Sequence, residues 1–118
     1  MAKKVTHKFT TEQIELFEQR TETFNKTNKS LYYLEFKGQF CYVARMDKKK
    51  AFLGIFGGGL VETKIGRLKN TGDIEKMDFA VYKYSRDNYD ADEFFFPGRG
   101  KLDGTIEGAF RAGFEIYP

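Results

Sequence analysis

A candidate anion-binding stretch lies near the C-terminus, where Gly98-Arg99-Gly100-Lys101 places two cations among glycines. Loops that bind phosphate use these residue types, because glycine exposes backbone N–H groups and lysine neutralises charge. The P-loop pattern also requires Ser or Thr directly after Gly-Lys, and Leu102 occupies that position. The sequence therefore favours a glycine turn between a strand and a helix. A small anion site at Arg99, Lys101 and the N-terminus of the following helix is the alternative.

A second candidate site is acidic and comprises Asp87, Asp90, Asp92 and Glu93, whose carboxylates are ligands that calcium prefers. An EF-hand loop needs acids or amides at its first, third and fifth positions and glycine at its sixth. Counted from Asp87, the third position is Tyr89 and the sixth is Asp92, so the pattern does not match. The sequence predicts a solvated turn here.

The other catalytic and metal-binding groups are few. The chain has one cysteine, Cys41, and one histidine, His7, whereas a structural zinc site usually takes four such ligands. Cys41 lies in an alternating stretch that is typical of a strand, and we expect it to be a small core residue. No nucleophile has a plausible histidine partner, and no cofactor fingerprint occurs. The sequence therefore predicts a protein that is not an enzyme, with no catalytic residue, cofactor or metal site.

Aromatic residues are the unusual part of the composition, with 13 Phe, 7 Tyr and no Trp among 118 residues. We expect more rings than the interior of one small domain requires, so that some act on the surface. Rings interleaved with Lys and Arg on a sheet face can stack on single-stranded bases. The candidate binding surface is Tyr82, Lys83, Tyr84, Arg86, Arg99 and Lys101. If both helices pack on one side of the sheet, some of Tyr32, Phe36 and Tyr42 are expected to face outward with Tyr82 and Tyr84.

The elements that position these side chains begin with a helix that has clear start signals. Thr10 and Gln13 have the spacing of a capping box, and Phe9 and Ile14 have the spacing of a hydrophobic staple. Apolar residues then recur at helical spacing on one face. We therefore predict an amphipathic helix that begins after Thr10.

Alternating and aromatic stretches after this helix predict an antiparallel sheet. A hairpin turn is expected at Lys37–Gly38, and strands are expected in VETKIGRLKN and MDFAVYKYS. SRDNYDAD is predicted to be a turn, and EFFFPG is predicted to be a last strand that Pro97 ends. Within Lys48–Leu60, whose role the sequence does not indicate, Ala51 to Phe56 is a candidate short strand and Gly57-Gly58-Gly59 a predicted turn.

The chain ends in GTIEGAFRAGFEIYP, which predicts a helix capped by Thr105. Gly108 and Gly113 each weaken such a helix by about 1 kcal/mol relative to alanine. Together with Ala109 and Ala112 they give a slim surface that can pack closely on a sheet. The predicted fold class is therefore α+β, with an N-terminal helix, an antiparallel meander of four or five strands, and a C-terminal helix.

The C-terminal half also carries a resemblance to known proteins. Its motifs are the Tyr-Lys-Tyr-Ser strand at Tyr82 to Ser85, Tyr89-Asp90, Phe95 to Gly98, and the Gly-Thr-x-Glu-x-Ala-Phe helix start at Gly104 to Phe110. In these motifs the chain resembles small bacterial proteins with which we associate no established activity. The resemblance covers about residues 65–117, and Lys48–Leu60 departs from it. It implies a compact domain that folds alone, and it implies no catalytic or binding residue.

Charge and length limit the possible functions. The net charge of +3 is short of the strong basic bias of many nucleic-acid binders. No apolar run resembles a signal peptide or a membrane span, so we expect a cytoplasmic protein without membrane contact. We predict one domain over residues 1–118, with 1–8 a flexible tail. The leading hypothesis is a binding module that acts through protein contacts or as a homodimer on an aromatic sheet face. A nucleic-acid-binding accessory protein is the alternative, and a small enzyme is less favoured.

Overall fold

In the computed structural model, which describes residues 6–48, 59–93 and 95–118, the chain forms two α-helices and one antiparallel sheet. Helix α1 (Thr11–Asn28) precedes strands β1 (Tyr32–Lys37), β2 (Phe40–Lys48), β3 (Leu60–Lys69), β4 (Asp78–Lys83) and β5 (Asn88–Asp90). A turn of 3-10 helix (Arg99–Lys101) leads to helix α2 (Ile106–Ile116). The predicted α+β fold and the predicted order of its elements are confirmed.

The sheet is a meander, because each strand pairs with the next one in the chain. The predicted hairpin between β1 and β2 is confirmed. Within β2 and β3, Val43 lies opposite Gly66 and Ala44 lies opposite Lys64, so Ile65 is an extra residue in a β-bulge. The side chain of Ile65 is fully buried, and the bulge therefore adds an apolar residue to the core.

Both helices pack on the same face of the sheet. The core between the two layers contains fully buried side chains from helices and strands, namely Phe17, Cys41, Val43, Ile65, Leu68, Ile106 and Phe110. Tyr32 stacks on Phe110 with 4.6 Å between ring centroids, and Phe36 contacts Phe9 at 5.2 Å. Of the three rings of which some were expected to face outward, Tyr32 and Phe36 do not, because side-chain alternation along β1 places both under the helices.

Local sequence signals set the helix ends. The Thr10 hydroxyl accepts a hydrogen bond from the Gln13 N–H, and the Gln13 side chain accepts one from the Thr10 N–H. The predicted capping box is thus confirmed, and Thr105 caps α2 as predicted. A Cβ atom at Gly113 would lie 2.4 Å from Oη of Tyr32, so α2 packs on the sheet at a distance that only glycine allows.

The last strand lies elsewhere than predicted. Strand β5 occupies the stretch that the sequence assigned to a turn, whereas residues 93 and 95–98 of EFFFPG hold no strand. A tight turn in which Asp87 has a φ of 48° leads β4 directly into β5. Beyond β5, Pro97 has no N–H for a ladder, and Phe96 packs on the helix side of β4 instead.

Some predictions fall on residues outside those that the structure describes. These are the candidate strand Ala51 to Phe56, the pair Gly57-Gly58 of the predicted turn, and residues 1–5 of the predicted tail. The assignment of residues 1–118 to one domain stays a prediction.

Candidate binding surface

The sheet surface opposite α1 and α2, which we call the open face, follows from strand alternation. Cys41 and Val43 point into the core, so Tyr42 between them points the other way. Residues directly opposite in the register share a face. The open face therefore carries Tyr33, Glu35, Lys37, Phe40, Tyr42, Glu62, Lys64, Arg67, Lys69, Asp78, Ala80, Tyr82 and Tyr89.

A continuous series of rings, which we call the aromatic row, crosses this face in the order Phe40, Tyr42, Tyr89, Tyr82 and Tyr84. Successive ring centroids are 6.3, 5.1, 5.0 and 4.8 Å apart, and the ring planes meet at 53° to 85°. Tyr82 is 4% exposed, whereas Tyr84 at the end of the row is 51% exposed. The Tyr84 hydroxyl accepts a hydrogen bond of 2.7 Å from the Lys64 N–H. The row is therefore held in place by its own contacts and still reaches solvent.

Cations lie over the rings of the aromatic row. The Arg67 guanidinium is 4.2 Å from the ring centroid of Phe40 and 5.5 Å from that of Tyr89. Lys64 and Lys37 cover two further rings, with Nζ atoms 5.0 and 5.8 Å from the centroids. Each such contact contributes about 0.5–1 kcal/mol at an exposed site. The cations thus fix the orientation of the rings before any ligand binds.

Three phenols on this face, those of Tyr33, Tyr82 and Tyr89, have a pKa that the structure raises. The hydrogen bond from Tyr82 to Asp87 raises the pKa of Tyr82 to about 12. Burial raises the pKa of Tyr89 to about 12. Burial and a hydrogen bond to Glu62 also raise the pKa of Tyr33. With pKa values in this range, none of these tyrosines acts as a base or nucleophile near neutral pH.

A cavity of about 250 Å³ opens on the open face beside the aromatic row. Three tyrosines line it together with two carboxylates and two amines, namely Tyr33, Tyr42, Tyr89, Glu35, Glu62, Lys37 and Lys64. Its polar groups are balanced in charge, and its rings provide apolar walls. A pocket of this kind suits one side chain of a binding partner.

The structure brings together two of the six residues predicted as a binding surface. Tyr82 and Tyr84 both belong to the aromatic row. Lys83 points to the helix side of β4, where its amine pairs with Glu93 and lies 3.6 Å from Asp90. Tyr42, which was named as a possible outward-facing ring, is on the open face as expected.

Of the other predicted cations, one lies in a turn and two lie on the helix side of the sheet. Arg86 is exposed in the turn between β4 and β5. Arg99 and Lys101 lie in the 3-10 helix beside α2, on the helix side of the sheet. The six residues therefore do not form one continuous surface.

Sequence reasoning missed several residues of the open face, above all Lys64 and Arg67. These two residues are an odd number of positions apart, so simple alternation places them on opposite faces of β3. The extra residue Ile65 brings both onto the open face. Tyr89 was missed for a different reason, because its stretch was predicted to be a turn. The bulge itself has no signal in a single sequence, whereas the high content of Phe and Tyr was visible in the composition.

The described part of the chain holds one cysteine and several carboxylates that could also react or bind a metal ion. Cys41 is fully buried, and burial raises the pKa of its thiol far above the ordinary value, so it is a core residue as predicted. Within residues 6–48, 59–93 and 95–118, no group of three or more His, Cys, Asp and Glu residues is placed to hold a metal ion. Neither described helix has the length and apolar character needed to cross a lipid bilayer.

The resemblance to small bacterial proteins stays a prediction. The geometry of the open face is the basis on which function can be inferred. Comparisons of the chain with protein-family models, with curated protein sequences and with solved structures found no match.

Proposed function

We propose that this protein is a non-enzymatic binding module that contacts another protein through its open face. The observation that carries the proposal is the aromatic row, which is ordered by stacked cations on a sheet face that no described helix covers. A surface whose side chains are already fixed loses little entropy on binding. The row is thus suited to recognition rather than to chemistry.

The charge of the open face favours a protein partner over a nucleic acid. Its four basic side chains, Lys37, Lys64, Arg67 and Lys69, lie among three acidic ones, Glu35, Glu62 and Asp78. A fourth carboxylate, that of Asp87 in the adjoining turn, bonds Tyr82, so the surface has little surplus of positive charge. Nucleic acids require a surplus of positive charge because the phosphate backbone supplies most of the affinity. Mixed charge around aromatic anchors is instead typical of protein interfaces.

Arg67 and the rings beside it are the expected energetic centre of the interface. Tyr and Arg dominate the residues whose truncation weakens protein complexes most. Arg67 lies between Phe40 and Tyr89, next to the cavity that Tyr42 and Tyr89 line. A partner side chain in that cavity would contact both rings. A second copy of this chain is the first partner to test.

Photo-crosslinking tests the proposal directly. The photoreactive residue p-benzoylphenylalanine replaces Tyr84 in one variant and Phe95 in another. Both positions are exposed aromatics, at 51% and 95%, but only Tyr84 belongs to the aromatic row. We expect ultraviolet light to give a discrete protein adduct from position 84 and none from position 95. Arg67→Ala in the same chain should reduce the yield by about ten-fold, as for a central interface arginine.

Two further measurements identify the partner class. Sedimentation over a range of concentrations shows whether the adduct is a second copy of the chain. Nuclease treatment and a titration with labelled oligonucleotides at low salt show whether the crosslinked partner is a nucleic acid. Adducts that nuclease removes, or equal adduct yields at both positions, would contradict binding of a protein through the open face.

A further inference from the structure

Strand β1 pairs with β2 on one side, and no described strand pairs with its other side, which we call the free edge. The Met46 N–H donates to the Leu31 carbonyl at 3.0 Å, so the bonding groups of Leu31 face β2. Backbone groups of successive residues point to opposite sides of a strand. The N–H and C=O groups of Tyr32, Leu34 and Phe36 therefore point to the free edge.

The available part of this edge has defined limits. At one end the Asn25 side chain takes both groups of Tyr32, since its amide donates to the carbonyl and its oxygen accepts from the N–H, each at 2.9 Å. At the other end the Gly38 carbonyl accepts a hydrogen bond from the segment before α1. Between these limits, the free-edge groups of Leu34 and Phe36 have no partner among the described residues. The Asn25 side chain therefore already makes with the Tyr32 backbone the two hydrogen bonds that an added strand would make.

A groove of about 530 Å³ runs along this edge, between β1 and the flank of α1. Residues 31–34 form one wall, of which Leu31 is 53% exposed. Glu18 and Glu22 line the wall that α1 provides. Lys26 pairs with Glu22 at 3.3 Å, and no described residue forms an ion pair with Glu18. The groove thus has apolar surface next to an acidic helix flank.

We propose that the β1 edge is a second binding site, which takes an extended peptide with alternating basic and apolar residues as an added strand. The backbone of such a peptide supplies partners for the N–H and C=O groups of Leu34 and Phe36. Its lysine or arginine side chains lie with their methylene stems along Leu34 and their charged ends at Glu18 and Glu22. Its apolar side chains lie on the opposite side, beside Tyr33. The site meets the open face at Tyr33, but its backbone groups and its acidic flank lie outside that face.

A titration with synthetic peptides tests this site. The probe is a short capped peptide in which lysine alternates with valine, and binding is followed by amide chemical shifts of the full chain. We expect saturable shifts centred on β1 and the α1 flank. Methylation of the peptide nitrogens that face the edge should weaken binding by about ten-fold, because their hydrogen bonds to the strand are lost. The same peptide with glutamate in place of lysine should not bind.

A matched pair of protein variants separates the acidic flank from general charge attraction. Glu18 lines the groove, and Glu18→Lys reverses its charge. Glu115→Lys makes the same charge change at an exposed position on α2. We expect the first variant to weaken peptide binding by about five-fold and the second to have little effect. Equal effects of both variants, no effect of nitrogen methylation, or the absence of saturable shifts on β1 would overturn the proposal.

Discussion

Tyr32 shows how one side chain can hold three elements together. Its ring stacks on Phe110, and its hydroxyl donates to the Phe110 carbonyl at 2.7 Å and accepts from Arg45 at 3.2 Å. Its backbone bonds the Asn25 side chain of α1. Burial raises the pKa of Tyr32 to about 12, so the hydroxyl keeps its proton at neutral pH. The position of this ring leaves no space for a side chain at Gly113.

Gly113→Ala is expected to destabilise the protein. Its Cβ would lie 2.4 Å from Oη and 3.2 Å from Cε1 of Tyr32, and the bonds of Tyr32 prevent the ring from moving aside. Overpacking costs about 1–3 kcal/mol, and alanine recovers about 1 kcal/mol in helix propensity. We expect a net loss of up to about 2 kcal/mol in the free energy of unfolding, measured by urea denaturation.

The control for this change is Gly100→Ala. No atom lies within 4 Å of a Cβ built at Gly100, so this variant should keep the stability of the wild type. If Gly113→Ala proved as stable as Gly100→Ala, the close contact between α2 and Tyr32 would be wrong.

At the scale of elements, features that depend on residues close together in the sequence could be predicted, and features that depend on pairing between strands could not. Helix α1 was predicted correctly because its capping box involves residues only three positions apart. Strand β5 was missed because its existence depends on pairing with β4 through a tight turn, and EFFFPG has stronger intrinsic strand propensity. The open face shows the same limit, since the bulge at Ile65 decides that Lys64 joins Arg67 there.

Thr10→Ala tests the contribution of the capping box to α1. The change removes the acceptor for the Gln13 N–H, which leaves one helix-end donor without its protein partner. We expect the free energy of unfolding to fall by about 1 kcal/mol. Thr11→Ala is the control, because Thr11 is exposed and its side chain makes no hydrogen bond among the described residues. Equal losses from both changes would show that the cap contributes nothing specific.

At the scale of the whole molecule, an ion-pair network joins elements that are distant in the sequence. Arg20 of α1 bonds Glu107 of α2 and Glu75 of the loop between β3 and β4. This network connects α1, α2 and the loop between β3 and β4. The aromatic row and the free edge of β1 lie on other surfaces. The protein thus separates the contacts that stabilise its fold from the surfaces that we propose for binding.

The pH dependence of stability follows from this network. Burial alone would raise the pKa of Glu107. The hydrogen bond from Arg20, a backbone hydrogen bond and the positive charges of Arg20 and Arg111 together outweigh burial, so the pKa in the folded state is lower than in an ordinary glutamate. A carboxyl with a lowered folded pKa stabilises the protein above its unfolded pKa and loses this effect as the pH falls through the folded value. Glu107 therefore stabilises the fold at neutral pH and not in strong acid.

Glu107→Gln makes this contribution measurable. At about pH 7 we expect the variant to be on the order of 1 kcal/mol less stable than the wild type, since the charge-assisted bond to Arg20 is lost. Toward about pH 2 the difference should shrink, because Glu107 of the wild type is then protonated and resembles glutamine. Urea denaturation of both proteins across this range measures the difference directly. Glu115→Gln at an exposed position serves as the control and should show little difference at any pH. A difference for Glu107→Gln that stays constant across the range would show that its carboxylate charge does not connect α1 to α2.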